Sequence, residues 1–176
     1  MPAADAGGGD PPVTVRVCFV CTGNICRSPM AEIILRSLAG ETPTPGGLLG
    51  ERLEVSSAGT GPWHVGEPMD PRAARALTDA GYPDTGHQAR QFQTAWLDHL
   101  DLVVCLDRRH VETLRGLVGT GADKLDLLRR FDRSAGGDLD VPDPYYGDPE
   151  DFGRCRRMIE TACRGLADQL ARRGGA

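Results

Sequence analysis

The chain has 176 residues, of which 40% are hydrophobic and 26% charged, as is typical of a globular protein that buries a core without disulfides or metals. Its net charge of −5 provides no positive field for nucleic acid or an anionic membrane, so we expect neither partner. No apolar stretch approaches the ~20 residues of a membrane span, and MPAADAGGGDPP does not resemble a signal peptide. We interpret residues 1–12 as a disordered tail and residues 13–173 as a single domain.

The six cysteines are irregularly spaced, which favours reduced thiols over a disulfide framework and predicts a cytoplasmic protein. The pair Cys18 and Cys21 also has the spacing of a zinc or redox motif, but no second ligand pair follows at zinc-site spacing. We therefore expect Cys18 to be a strand residue among apolar neighbours. We expect core packing for Cys105, Cys155 and Cys163.

Strand and helix patterns alternate along the chain. Strands are predicted at residues 13–20, 52–57, 102–106 and 124–128. Helices are predicted from the first turn around Pro29 to Gly40, at residues 69–80 and 92–99, from the cap Asp107 to about residue 117, and along an apolar stripe from Phe152 to Leu170. ETPTPGGLLG and RSAGGDLDVPDPYYGDPE are predicted loops, and the length of the second is typical of a functional loop.

This alternation predicts an α/β fold. We expect a three-layer sandwich, in which a central, mainly four-stranded, parallel and twisted sheet is flanked by helices on both faces. In such a sheet ligands bind beyond the carboxyl ends of the strands, where helix N-termini point. The connection between the first strand and the first helix is therefore a candidate binding loop.

That connection reads CTGNICRS, residues 21–28. A short loop that closes onto a helix start leaves converging backbone N–H groups, which form an anion site. Gly23 and Asn24 tolerate the left-handed backbone that turns these groups inward. Arg27 adds a planar guanidinium whose donors match two phosphate oxygens. The predicted phosphate-binding loop comprises Cys21, Thr22, Gly23, Asn24, Ile25, Cys26 and Arg27.

Cys21 begins this loop, and its functional interpretation competes with that of a buried structural thiol. Converging amides and the charge of Arg27 favour the thiolate over the thiol. A thiolate beneath a bound phosphate is a nucleophile placed for covalent phosphoryl transfer.

These residues resemble the C-x5-R-S signature of the low-molecular-weight protein tyrosine phosphatases of bacterial type. Further blocks that look like this family follow in order: SAGT with WHVG at 57–66, DPRA at 70–73, HQARQ at 87–91, and DPYYGD with DF at 143–152. The resemblance spans residues 15–170. It implies hydrolysis of phosphotyrosine in proteins, and of small aryl phosphates, through a phosphocysteine intermediate.

The resemblance also implies roles for individual residues. Cys21 would be the nucleophile, Arg27 would bind the phosphoryl oxygens, and Asp143 would be the general acid, aimed by Pro144. Ser28 would hydrogen-bond the Cys21 sulfur. Without the resemblance, the interpretation of Asp143 as a turn residue is favoured over the catalytic one.

Other residues would support or surround the site. Asn24 would be left-handed and held by a network that includes Ser57 and His87, of which His87 is structural rather than an acid or base. Cys26 would form a reversible disulfide with the nucleophile or would merely fill the loop. The aromatic walls of the site would be Trp63, Tyr145 and Tyr146.

The expected partners are phosphotyrosine-containing proteins, with phosphate or sulfate in the active site and no metal or cofactor. We expect a monomer. Two alternatives stay open: an arsenate reductase of the same fold, which would need two further cysteines downstream, and a phosphotyrosine-binding module without turnover. The sequence assigns no role to His64, His99 or His110, and the charge-rich residues 108–115 indicate a solvated helix face.

Overall fold

The computed structural model describes residues 13–173, so the predicted disordered tail at residues 1–12 lies outside the described residues. The strands are β1 (Val15–Cys21), β2 (Pro43–Thr44), β3 (Gly47–Leu48), β4 (Leu53–Gly59), β5 (Leu102–Cys105) and β6 (Leu125–Leu127). The α-helices are α1 (Arg27–Ala39), α2 (Pro71–Thr78), α3 (Arg108–Val118) and α4 (Pro149–Arg173). Short 3₁₀ helices occupy Leu49–Arg52, Thr94–Asp98, Gly119–Lys124 and Leu128–Phe131.

The central sheet has four parallel strands in the order β4–β1–β5–β6. Cys21, the last residue of β1, is in register with Gly59, the last residue of β4. On the other side of β1, Val20 pairs with Cys105 at the end of β5. The carboxyl ends of these strands therefore meet at one edge, and the loops that follow them converge there.

Apolar residues cover both faces of the sheet. The helices α1, α2 and α4 bury one face, where Phe19 of β1, Ile34 of α1 and Ile159 of α4 belong to one cluster. The helix α3 and the Thr94–Asp98 turn bury the other face against Val20. The predicted three-layer α/β sandwich is thereby confirmed. Within residues 13–173 no helix combines the length and apolarity needed to cross a bilayer.

Two local predictions were wrong. ETPTPGGLLG is not a plain loop, because Pro43–Thr44 and Gly47–Leu48 form a small antiparallel hairpin. Gly47 has a φ of 134°, which glycine alone adopts without strain, and the buried Leu49 anchors the hairpin. The helix α2 begins later than predicted, because Asp70 caps it and Pro71 is its first residue, and it ends earlier, at Thr78.

Gly59 allows the end of β4 to lie against the loop that follows β1. A Cβ atom at residue 59 would lie 2.6 Å from the Thr22 carbonyl oxygen and 3.2 Å from the Asn24 nitrogen. Both contacts are with backbone, so a side chain could not avoid them by rotating. The loop can therefore lie this close to β4 only because residue 59 has no side chain.

We predict that Gly59→Ala lowers the free energy of unfolding by about 1–3 kcal/mol, the usual cost of overpacking. It should also weaken binding of inorganic phosphate, because the displaced backbone belongs to the predicted anion loop. Urea unfolding and isothermal titration calorimetry measure the two effects. Gly116→Ala on α3 is the matched control, because its Cβ would meet nothing within 4 Å. This substitution should raise the free energy of unfolding by about 0.5–1 kcal/mol. A Gly59→Ala protein that behaves like this control would contradict the prediction.

Candidate active site

The loop between β1 and α1 turns its carbonyl groups outward. The carbonyls of Cys21 and Thr22 accept hydrogen bonds from the amides of Thr60 and Gly61, at 2.8 and 3.2 Å, and the Ile25 carbonyl accepts one from Asp70. The amides of residues 23–26 have no acceptor among residues 13–173. They remain available to an anion, as expected of a loop that ends at a helix N-terminus.

Asn24 fixes the shape of this loop. Its φ is 58°, the left-handed conformation expected from the sequence, and its side chain is fully buried. Its Nδ2 donates to Ser28 Oγ at 2.8 Å and to Ser57 Oγ at 3.0 Å, and its Oδ1 accepts from the Arg90 amide. His87 Nε2 donates to the Asn24 carbonyl at 2.7 Å. All polar groups of the Asn24 side chain are therefore satisfied, which offsets the strain of the backbone.

Two residues to which the sequence motifs assigned no role, Glu32 and Arg90, extend this network. Glu32 of α1 accepts a hydrogen bond from Ser57 Oγ, and its carboxylate lies 4.0 Å from His87 Nδ1. The Arg90 side chain donates to the Ser57 carbonyl at 3.0 Å. Arg90 belongs to the HQARQ block, so the motif contained it without indicating its contact.

Cys21 and Ser28 are the first and last residues of CTGNICRS, and their side chains are in contact. The Cys21 sulfur is 2.9 Å from Ser28 Oγ, and either atom can be the donor. Ser28 Oγ also lies 3.2 Å from the Ala58 carbonyl. The structure thus brings together the predicted pair of thiol and hydroxyl.

Arg27 is buried, with only 2% of its side chain exposed. Its NH1 donates to Asp107 Oδ2 at 2.8 Å and to the Val141 carbonyl at 3.0 Å. Its NH2 lies 3.4 Å from Thr22 Oγ1 and 3.5 Å from Asp143 Oδ2. Burial alone would disfavour the charge of Asp107, but His110 and Arg27 beside it hold the pKa of its carboxyl below the usual range.

A cavity of about 430 Å³ opens above Cys21 and Arg27. Asp143 lines it with a side chain that is 40% exposed, and its Oδ1 accepts a hydrogen bond from the Tyr145 amide. The remaining lining residues include Thr22, Gly23, Ile25, Cys26 and His64. The predicted acid therefore faces the same space as the predicted nucleophile.

Aromatic side chains form the rim of the cavity, where the sequence predicted them. Trp63 is 67% exposed and Tyr146 is 95% exposed, whereas Tyr145 is partly covered. The rings of Tyr145 and Tyr146 meet edge to face at 5.0 Å, and the Arg72 guanidinium lies over the Tyr145 ring. This rim offers apolar surface to an aromatic group.

All six cysteines lie within the described residues and are free buried thiols. Burial raises the pKa of Cys26 well above its ordinary value and that of Cys155 to about 12. Core packing of Cys105, Cys155 and Cys163 is confirmed. Between residues 13 and 173 there is no group of three or more His, Cys, Asp and Glu side chains placed to hold a metal.

His110 is buried beside the loop, although the charge-rich residues 108–115 indicated a solvated helix face. Its Nε2 lies 2.9 Å from Thr22 Oγ1. The sequence predicted that Asp107 caps α3, and its side chain does accept a hydrogen bond from the His110 amide. The contact of Asp107 with Arg27 was not predicted. One signal was present: Asp107 follows the carboxyl end of β5, at the same edge of the sheet as Cys21.

Comparison with known proteins establishes the family. A family model described as low molecular weight phosphotyrosine protein phosphatase matches residues 16–175. The chain belongs to this family. The membership predicted from the sequence motifs is confirmed.

Relatives of the family are similar over most of their length. A low molecular weight protein-tyrosine-phosphatase of Streptomyces coelicolor is 53% identical over 88% of this chain and 92% of its own. Protein-tyrosine phosphatase A of Mycobacterium tuberculosis is 50% identical, over 91% of this chain and 96% of its own. A crystal structure of an Entamoeba histolytica protein tyrosine phosphatase with Hepes in the active site superimposes with a TM-score of 0.82, at 27% identity, over 93% of this chain and 100% of that chain.

We predict that Asn24→Ala destabilises the protein more than Asn24→Gly does. Both variants lose the hydrogen bonds of the side chain, but glycine adopts a left-handed φ without the ~1 kcal/mol or more that alanine incurs. Urea unfolding of the two variants measures the difference, which should be about 1 kcal/mol. An alanine variant as stable as the glycine variant would show that residue 24 does not need this conformation.

Proposed function

We propose that this protein hydrolyses phosphotyrosine in proteins, and small aryl phosphates, through a phosphocysteine intermediate on Cys21. The observation that carries the proposal is the convergence of the Cys21 sulfur, the buried Arg27 and Asp143 on one cavity, with Arg27 NH2 3.5 Å from Asp143 Oδ2. We also propose that residues 13–173 form a single phosphatase domain. Its free thiols are consistent with a reducing, cytoplasmic location, and the monomeric state stays a prediction.

Binding of the phosphoryl group would use the loop amides and Arg27. The outward carbonyls leave these amides for the anion, and Arg27 NH2 faces the cavity while its NH1 is held by Asp107. This arrangement is a set of donors fixed before the substrate arrives, which stabilises charge on the oxygens as it develops. Hepes, which occupies the active site of the Entamoeba relative, carries a sulfonate, which is similar in shape to a phosphoryl group.

In the first step, the Cys21 sulfur attacks phosphorus and the bond from phosphorus to the phenol oxygen breaks. Asp143 donates its proton to that oxygen, so that a phenol leaves instead of a phenolate. The product is a phosphocysteine. The attacking form of a cysteine is the thiolate, and Cys21 and Arg27 line the same cavity.

In the second step, a water molecule attacks the phosphocysteine. Asp143, now a carboxylate, accepts the proton of the water, and the bond from sulfur to phosphorus breaks to release inorganic phosphate. Ser28 Oγ, 2.9 Å from the sulfur, would donate a hydrogen bond to the departing thiolate. Each residue returns to its starting state.

The rim supports phosphotyrosine as the substrate class. Trp63, Tyr145 and Tyr146 would contact the phenyl ring, while the phosphoryl group lies at the depth of Cys21. A phosphoserine side chain is shorter and would leave this apolar surface uncovered. Proteins that carry phosphotyrosine are therefore the proposed partners.

We predict that Cys21→Ser abolishes turnover of para-nitrophenyl phosphate while inorganic phosphate still binds, because the amides and Arg27 remain in place. Steady-state kinetics and calorimetry measure the two properties. Cys163→Ala, which changes a thiol of the core, is the control and should retain turnover. Residual hydrolysis by Cys21→Ser would refute the role of Cys21 as the nucleophile.

The same measurements on the wild-type protein test the two alternative functions. A wild-type protein that binds phosphate without turnover would be a binding module. Thiol-dependent reduction of arsenate instead of ester hydrolysis would identify an arsenate reductase.

We predict that Asp143→Asn slows hydrolysis of phenyl phosphate by about 10²–10⁴-fold, the usual contribution of a general acid. It should slow para-nitrophenyl phosphate much less, because nitrophenolate leaves without a proton. Asp148→Asn in the same loop is the control and should leave both rates unchanged. Equal slowing of both esters by Asp143→Asn would contradict the role of the acid.

A further inference from the structure

The hydrogen bonds of His110 define its tautomer. The Asp107 amide donates to His110 Nδ1 at 3.1 Å, so Nδ1 is an acceptor and carries no hydrogen. Burial, reinforced by the charge of Arg27, lowers the pKa of His110 to about 4, so the ring is neutral near pH 7. The single ring hydrogen is therefore assigned to Nε2, because the contact of the Asp107 amide with Nδ1, at 3.1 Å, is shorter than that of Arg27 NH2 with Nε2, at 3.5 Å.

This hydrogen defines the orientation of the Thr22 hydroxyl. His110 Nε2 lies 2.9 Å from Thr22 Oγ1 and donates to it, and Arg27 NH2 donates to the same oxygen at 3.4 Å. With two donors aimed at its oxygen, the hydroxyl must direct its own hydrogen elsewhere. Thr22 lines the cavity above Cys21, so that space is open to the hydroxyl hydrogen.

We propose that the Thr22 hydroxyl donates a hydrogen bond to an oxygen of the bound phosphoryl group, and that His110 is the positioning residue that orients it. The proposal rests on the proposed function, since it deepens the binding step of the same site. Thr22 would add a side-chain donor to the backbone amides and Arg27. His110 would never touch the substrate and would act through Thr22.

A purely structural role for His110 would use its other nitrogen. In the cap of α3, the His110 amide donates a hydrogen bond to the Asp107 side chain, and the Asp107 amide donates one to His110 Nδ1. Nε2 has no part in that cap. Substitutions that separate the two nitrogens therefore separate the two roles: His110→Asn keeps an acceptor near the position of Nδ1, whereas His110→Gln keeps a donor near that of Nε2.

The experiment measures the dissociation constant of inorganic phosphate, together with kcat and KM for para-nitrophenyl phosphate, in Thr22→Val, Thr22→Ser, His110→Asn and His110→Gln. Thr22→Val should weaken phosphate binding and lower kcat/KM by about tenfold or more, as expected for a lost hydrogen bond to a charged group. Thr22→Ser keeps the hydroxyl and should lose much less of both than Thr22→Val does. His110→Asn should weaken phosphate binding and lower kcat/KM by about 2–10-fold, whereas the effect of His110→Gln on both should be much smaller.

The decisive comparison is the double variant Thr22→Val with His110→Asn. If His110 acts through the hydroxyl, the double variant binds phosphate no more weakly than Thr22→Val alone. If His110→Asn has the same effect in both backgrounds, His110 is only structural and the proposal fails. Unchanged phosphate affinity in Thr22→Val would also overturn it.

Two controls make the outcome unambiguous. Thermal unfolding of each variant detects a loss of folding, and Thr22 is exposed, so Thr22→Val should fold even if a His110 variant does not. His99→Asn changes an exposed histidine remote from the loop contacts and should leave binding and rates unchanged. Phosphate affinity is measured without turnover. A wild-type protein that does not hydrolyse esters would refute the proposed function, whereas the affinities of the variants would still decide the role of Thr22.

Discussion

The pairing of the buried Arg27 with Asp107 is the interaction on which the rest of the site depends. Removing a charge from water costs several kcal/mol unless it is paired and hydrogen-bonded, and Asp107 together with the Val141 carbonyl satisfies one end of the guanidinium. The other end is left to face the cavity. Asp107, which caps α3, thus also holds the guanidinium of Arg27. This contact joins the end of β5 to the loop that follows β1.

The loop itself depends on contacts made behind it. Asn24 holds the left-handed turn through Ser28, Ser57 and the backbone of Arg90, and the bare backbone of Gly59 lets β4 lie against it. None of these groups needs to touch a substrate. Their effect is to fix the loop amides before binding, so that little of the binding free energy is lost in ordering them.

Local patterns predicted the first strand, its loop and the helix start, because the turn residues and the strand-forming run are adjacent in the chain. The sequence could not predict the contacts of His110 or Glu32, since these residues meet Thr22 and Ser57 only after the sheet has brought distant segments together. A lone histidine on a helix has no spacing that reveals its partner. The hairpin after α1 was missed for a related reason: its turn depends on Gly47 and on the anchoring of Leu49, which a glycine-rich composition does not show.

The central claim is that phosphoryl transfer passes through the Cys21 sulfur. It is tested most directly by acid quenching of the wild-type enzyme during turnover of para-nitrophenyl phosphate, followed by proteolysis and mass spectrometry. The account predicts a peptide that contains Cys21 and carries one phosphoryl group on sulfur. A phosphoryl group on any other residue, or its absence from the quenched protein while the ester is being hydrolysed, would contradict it.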